Sequence, residues 1–228
     1  MATQQSFFRD TPPLHKGRLF FWRLMLEEIA ADRQAGIRHN TILDYGCSYG
    51  GFIEYARSCR FLANMIGVDV DQNALDGAKS RVFGDGISFM NTKEALNNIK
   101  DGQVDLITLN EVVSYIDDVN DLTDIINGKL SSSGSIYILT GSIPGFGGSD
   151  FLENYAKQFG FFYKPRSIRE IVCDFRLNGF DIYVKKLPIC NSFGIQIAIE
   201  KDIFETPEQM VEYMYSSKVI VKACRKAA

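Results

Sequence analysis

Histidine is scarce in this chain. Of 228 residues only His15 and His39 are histidine, and both precede the first glycine-rich turn. Five cysteines, Cys47, Cys59, Cys173, Cys190 and Cys224, are odd in number and scattered, with no C-x-x-C pair. That spacing argues against a zinc site, so no metal is expected, and it fits reduced thiols in a cytosol. No run of about 18 apolar residues occurs, which predicts no transmembrane helix and no membrane insertion. The opening MATQQSFFRDTPP has no charged leader followed by an apolar core, and so predicts no secretory signal. A formal net charge of −3 offers no broad electrostatic handle for nucleic acid. With 46% hydrophobic residues the chain can bury one good core. These features predict a single cytoplasmic domain over 1–228, with no nucleic-acid partner.

What is present centres on Thr41 to Gly51, TILDYGCSYGG, read with MIGVDVD at Met65 to Asp71. An apolar run closes at Asp44, and Gly46, Gly50 and Gly51 give a tight turn. FIEYARSCRFL then reads as a helix, and a second apolar run ends at Asp69, about 20 residues past the turn. Strand, glycine turn, helix, strand and acid are the parts of a nucleotide-binding unit. Glycines let backbone approach a ligand, the helix start offers free N–H groups, and the acid accepts hydrogen bonds from ribose hydroxyls.

The flanking chain fits an α/β sheet. Residues 1–13 read as a loose arm, and Arg18–Gln34 as a helix ending at Gly36, whose stripe suits either the sheet edge or a pocket cap. Further strands are expected at Ile87–Met90, Val104–Leu109 and Ser135–Leu139, with helices at Gln72–Arg81, Lys93–Ile99 and Val119–Leu130 and a turn at Ser131–Gly134. Strands alternating with helices predict a parallel sheet. Beyond it, 141–165 is glycine-punctuated and aromatic, a lid or substrate wall on one reading and plain core on the other. Ser167–Asn178 reads as helix. Asp181–Leu187 and Ile195–Glu200 read as an antiparallel hairpin, and Pro207–Cys224 as a terminal helix. Its basic end, Lys218, Lys222, Arg225 and Lys226, reads as a solvated face.

DYGCSYGGF followed by GVDVDQNALDGAK resembles the cofactor half of class I S-adenosylmethionine-dependent methyltransferases. VDLITLNEVVSYIDD and LTDIINGKLSSSGSIYILT resemble that family's fourth-strand and fifth-strand segments, in the family's order. The resemblance runs from about Ile42 to Glu200, nearest to small-molecule members of the quinone-biosynthesis type. It implies a Rossmann-like, doubly wound, seven-stranded and mostly parallel sheet with an antiparallel last strand. The divisions would be an arm and helix (1–36), a cofactor-binding half (41–140), the insert (141–165) and a C-terminal half (166–228). The implied cofactor is S-adenosyl-L-methionine, and the implied reaction is methyl transfer to a small-molecule acceptor. Asp44 would lie near the methionine ammonium, with Gly46, Ser48 and Gly50 under the methionine part. Asp69 would take the ribose hydroxyls, Val70 would flank the adenine, and Asn91 and Thr92 would meet its edge. Asn110 would border the sulfonium. Three residues depart from the family pattern: Ser48 for a glycine, Thr92 for an acid, and Tyr115 for a histidine.

Other readings of the same residues exist. Gly46-Cys47-Ser48-Tyr49-Gly50 is a literal G-x-S-x-G, the nucleophile elbow of α/β hydrolases, but that fold needs a histidine after the serine and none follows. An NAD(P)-dependent oxidoreductase fits the glycine turn, yet no Y-x-x-x-K pair is present and Asp44 would sit near the pyrophosphate. A domain that binds the cofactor without transferring methyl is a third class. Acids at strand ends can also merely cap helices. Sulfonium chemistry needs a base only if the acceptor must lose a proton. Glu111, Tyr115 and Tyr155 are the candidates.

Overall fold

The structure is a computed structural model that describes residues 16–81, 84–117, 120–141, 144, 153–154, 156–158, 160–187, 206, 208 and 218–226. It opens with helix α1 (Lys16–Gln34). Gly36 at φ +88° ends that helix, and the N–H groups of Gly36 and Ile37 close on the carbonyls of Arg33 and Asp32. The sheet then builds by alternation: β1 (Thr41–Tyr45), α2 (Gly51–Ser58), β2 (Asn64–Asp69), α3 (Gln72–Lys79), β3 (Ile87–Asn91), α4 (Thr92–Asn98) and β4 (Val104–Asn110). A 3-10 turn (Val113–Tyr115), α5 (Asn120–Lys129), β5 (Leu130–Thr140), α6 (Ile168–Leu177), β6 (Phe180–Lys186) and β7 (Val219–Arg225) complete the described elements.

The seven strands lie in the order β3-β2-β1-β4-β5-β7-β6. The first five pair in parallel, while β7 runs antiparallel to both β5 and β6. Strand order therefore reverses between β1 and β4, and such a switch point opens a crevice at the strands' carboxyl ends. Alternating side chains serve two cores. Ile42, Met65, Leu106, Tyr137 and Ile220 pack with Phe21, Trp22, Met25 and Ile29 of α1 and with Phe52 and Ile53 of α2. Leu43, Ile66, Ile107, Leu109 and Ile138 pack with Ala95 and Ile99 near α4, Ile125 of α5, and Ile171 and Phe175 of α6. A mostly parallel sheet clothed on both faces is the architecture the sequence predicts.

The C-terminal part departs from expectation. The described partner of β6 is β7, with Tyr183 opposite Lys222; Ile195–Glu200, expected to fill that place, lies outside the described residues. Val219–Arg225, expected as the end of a helix, is a strand. Its VIV start suits a pleated, buried surface better than a helix. Of the four basic residues expected as a solvated face, Lys226 is exposed but the other three are not. Lys218 is 5% exposed, Lys222 reaches Asp32, and Arg225 donates to the Ile126 carbonyl at 2.6 Å. The expected turn at Ser131–Gly134 is instead absorbed into β5: Val104 pairs with Leu130 and Leu106 with Ser135, so four residues bulge between adjacent pairings.

A buried polar cluster fastens α1 to the sheet. Asp32 accepts from Tyr137 Oη at 2.8 Å, pairs with Lys222 Nζ at 2.5 Å and meets His39 Nε2 at 3.4 Å. Burial holds the His39 imidazole below its usual range, and burial with the Asp32 contact drives the Tyr137 phenol well up. Removing the carboxylate strands an ammonium and a phenol in a poorly hydrated place. Asp32→Ala should therefore lower stability by about 3–5 kcal/mol. Urea unfolding at neutral pH measures it, and a loss below about 1 kcal/mol, the range of an exposed pair, would contradict this role.

Candidate functional site

The glycine turn sits at the switch point. Gly46, at φ +76°, donates to the Val68 carbonyl at 2.7 Å, and Cys47 donates to the same oxygen at 3.1 Å. A Cβ on Gly46 would lie 2.3 Å from Val112 Cγ2, so only glycine fits beneath the loop that leaves β4. Gly50 repeats φ +76° and donates to the Cys47 carbonyl at 2.9 Å, after which Gly51 opens α2. Ser48 stands between them at φ +48°, a left-handed conformation costing a non-glycine residue roughly 1–2 kcal/mol. Its N–H donates to Asp69 Oδ2 at 2.7 Å, which offsets that cost.

Asp44, next to last in β1, is buried at 2% exposed. Its Oδ1 accepts from Thr108 Oγ1 and from Asn110 Nδ2, both at 2.8 Å. Burial pushes this carboxyl up to about 7, and the Asp69 charge adds to it, while the Thr108 and Asn110 hydrogen bonds pull the other way. The Asn110 side-chain oxygen is buried and has no hydrogen-bond partner. A carboxylate and an orphaned amide oxygen thus stand side by side, both acceptors. That donor-hungry pair fits an ammonium group, and leaving such an acceptor unpaired is costly.

Asp69 ends β2 next to this pair. Its Oδ1 accepts from the Asp71 N–H at 2.9 Å and its Oδ2 from Ser48. Burial raises its pKa, opposed by those backbone bonds. Each carboxylate oxygen has a second lone pair, so capacity remains for two ligand hydroxyls. Val70 beside it is 67% exposed, an apolar side chain on an open rim.

Asn91 lies in register with Asp69 at the end of β3. Its Oδ1 accepts the Glu94 N–H while Glu94 accepts the Asn91 N–H, a reciprocal helix cap. Only its NH2 group is left for a ligand. Thr92 is buried, with a hydroxyl that has no hydrogen-bond partner.

The structure thus brings Asp44, Gly46, Ser48, Gly50, Asp69 and Asn110 together at the carboxyl ends of β1, β2 and β4, with Val70 following Asp69 and with Asn91 and Thr92 at the end of the neighbouring β3. Of the base candidates, Glu111 follows Asn110 at φ +58°. Tyr115 lies in the 3-10 turn, its ring 5.1 Å from Tyr163 and 6.1 Å from Phe161. Tyr155 lies outside the described residues. Arg166 and the Lys164 N–H tie the segment after Phe161 to the carbonyls of Val113, Ile116 and Ser114. Among the described residues no His, Cys, Asp or Glu cluster is placed to hold a metal ion.

Sequence reading missed Thr108, Val112 and Lys218. Thr108 had a signal, a hydroxyl inside the apolar run VDLITL. Val112 and Lys218 had none, because their roles depend on chain segments far away in sequence.

A family model described as a methyltransferase domain matches residues 43–138, which holds β1 to β5. No curated protein matches the chain. Among solved structures, an S-adenosylmethionine-dependent methyltransferase from Mesorhizobium loti superposes with TM-score 0.62 at 19% identity, over 92% of this chain and 98% of that one. A SAM-dependent methyltransferase from Archaeoglobus fulgidus gives 0.56 at 18%, over 90% and 94%. Geranyl diphosphate C-methyltransferase from Streptomyces coelicolor, solved with Mg2+, geranyl diphosphate and S-adenosyl-L-homocysteine, gives 0.59 at 17%, over 98% and 90%. At these identities the likeness is one of fold.

Asp44 carries a testable consequence for the unliganded protein. Its folded pKa, about 7, stands above the ordinary carboxylate value, so the folded state holds a proton that the unfolded chain has released. Stability from this group is present at low pH and is lost as pH rises through about 7. Asp44→Asn removes the penalty. The variant should melt several degrees above the parent at about pH 8 and close to it at about pH 4. An unchanged or lower melting temperature at the higher pH would contradict the assignment.

Proposed function

We propose that this chain, a methyltransferase by the domain it carries over residues 43–138, transfers the methyl group of S-adenosylmethionine to a small-molecule acceptor by in-line displacement. The observation that carries this reading is the pair of buried acceptors, Asp44 and the Asn110 oxygen, at the foot of a turn whose glycines admit close backbone approach. An amino-acid ammonium is the group that satisfies both. The neighbouring Asp69 then takes the ribose hydroxyls, and Val70 lies against the base. When bound, S-adenosylmethionine supplies a sulfonium-activated methyl group, so the protein needs no strong nucleophile of its own.

The chain's residues orient and exclude. Asp44, fixed by Thr108 and Asn110, sets the ammonium end. Ser48, fixed by Asp69, sets the turn under the methionine part. Both are held before any ligand arrives, which lowers the cost of aligning reactants. We read 41–140 as the cofactor-binding half. The Tyr115, Phe161 and Tyr163 cluster, strapped to the loop after β4, supports an apolar wall on the acceptor side, and Glu111 is the base candidate nearest to Asn110.

Two measurements test the cofactor assignment. Asp69→Ala removes both hydroxyl acceptors and the Ser48 clasp, so S-adenosylmethionine should bind at least about tenfold more weakly by calorimetry. An unchanged dissociation constant would remove Asp69 from the site.

The second measurement is affinity against pH. Burial raises the Asp44 pKa to about 7, so its carboxylate fraction grows from about pH 6 towards neutrality, and affinity should climb severalfold over that range before the ligand's own α-amino group loses its proton above it. A flat profile would mean that Asp44 does not meet the ammonium.

A further inference from the structure

At the carboxyl edge of the sheet, one ion pair spans three strands. Lys218 immediately precedes β7, and its Nζ stands 2.5 Å from Glu111 Oε1, just past the end of β4. To reach it the lysine crosses the end of β5 at Gly141. A Cβ on that glycine would lie 3.1–3.2 Å from Lys218 Cδ, Cε and Nζ, so the bare backbone is what lets the side chain pass. The Phe21 ring of α1 covers the ammonium at 5.2 Å to its centroid. Glu111 is itself held at φ +58° with its N–H on the Leu139 carbonyl at 2.8 Å. Lys218 thus fixes the carboxylate, Phe21 backs the lysine and β5 holds the Glu111 backbone, and a strained residue so over-determined is a mark of a functional position.

The two partners differ in exposure. The Lys218 side chain is 7% exposed and that of Glu111 23%. The member of the pair open to a ligand is the carboxylate, which only accepts hydrogen bonds when ionised. It directly follows Asn110, whose oxygen belongs to the ammonium pocket.

We infer that Lys218 positions Glu111 to take a hydrogen bond from the methyl acceptor, and that the site selects acceptors whose nucleophilic atom carries a proton, a hydroxyl or an amine N–H. This rests on the methyltransferase reading above and deepens it. An anionic acceptor has no proton to donate to the Glu111 carboxylate, so the two would meet acceptor against acceptor, and it is disfavoured. Lys218 is a positioning residue: its ammonium acts through Glu111 and the acceptor does not meet it.

The test uses the full-length 15N-labelled protein loaded with S-adenosylhomocysteine, and follows backbone amide signals by NMR. Phenol and aniline are the proton-bearing probes, anisole the probe without the proton, and benzoate the anion. Phenol and aniline should shift the Glu111 amide, while anisole and benzoate leave it in place. In Lys218→Met that shift should be lost, and Lys218→Arg should restore it. S-adenosylhomocysteine affinity should change by less than about twofold in either variant, since β7 lies two strands from β4. If Lys218→Met does not fold, Gly141→Ala displaces the lysine stem by its added Cβ and should abolish the phenol shift.

A benzoate shift at Glu111, no shift with any probe, or a phenol shift that survives loss of Lys218 would each overturn the inference. Failure of S-adenosylhomocysteine to move the Ser48 and Asp69 amides would instead overturn the methyltransferase reading, so the two failures are distinguishable.

Discussion

The site depends on one constraint: a carboxyl group, Asp44, is buried at the end of a parallel strand and kept there by two hydrogen bonds. Burial alone would favour its neutral form. Thr108 and Asn110 counter that, and a bound ammonium would complete the compensation. Everything around the crevice follows from keeping this group in place. The strand order reverses at β1, so the carboxyl end of that strand is open. The glycine turn must then leave β1 without side chains, because Val112 fills the space above Gly46. Asp69 finally locks the turn by accepting the Ser48 N–H. Two carboxylates, one buried beside the unpartnered Asn110 oxygen and one beside the exposed Val70, are thus wired through the same short loop.

Most of the N-terminal architecture was legible in the sequence because its signals are local. Apolar runs ending in Asp44 and Asp69, with glycines between, specify strand, turn and helix within about 30 residues, the span of one such unit. The antiparallel strand at the C-terminal end was not legible. Lys218, Lys222 and Lys226 recur at helical spacing, which mimics a solvated face. Their true surroundings come from residues 107 and 190 positions away, Glu111 for Lys218 and Asp32 for Lys222. A pairing of that range leaves no periodic trace. The same holds for Ser131–Gly134, whose turn-like composition is accommodated as a bulge only because Leu130 already pairs with Val104.

The two lysines also show how the rear of the fold supports its working edge. Lys222 ties β7 to α1 through Asp32, and Lys218 ties the start of the same strand to Glu111 past β4. Phe21 of α1 covers the second ammonium. One antiparallel strand thereby links the helix behind the sheet to the loop beside the candidate site. Ser48 and Glu111, two of the three left-handed non-glycine residues among those described, are places where local preference yields to this wiring. Each is held by a backbone N–H bonded to a fixed acceptor, and such conflicts between local and global preference are expected at working sites.

The most direct test of the account is what the protein carries when purified. Gentle purification, followed by denaturation and mass analysis of the released small molecules, should recover S-adenosylmethionine or S-adenosylhomocysteine, and added S-adenosylmethionine should saturate the stripped protein at a single site. Recovery of a nicotinamide dinucleotide instead, or no binding of S-adenosylmethionine by the stripped and folded chain, would contradict the account.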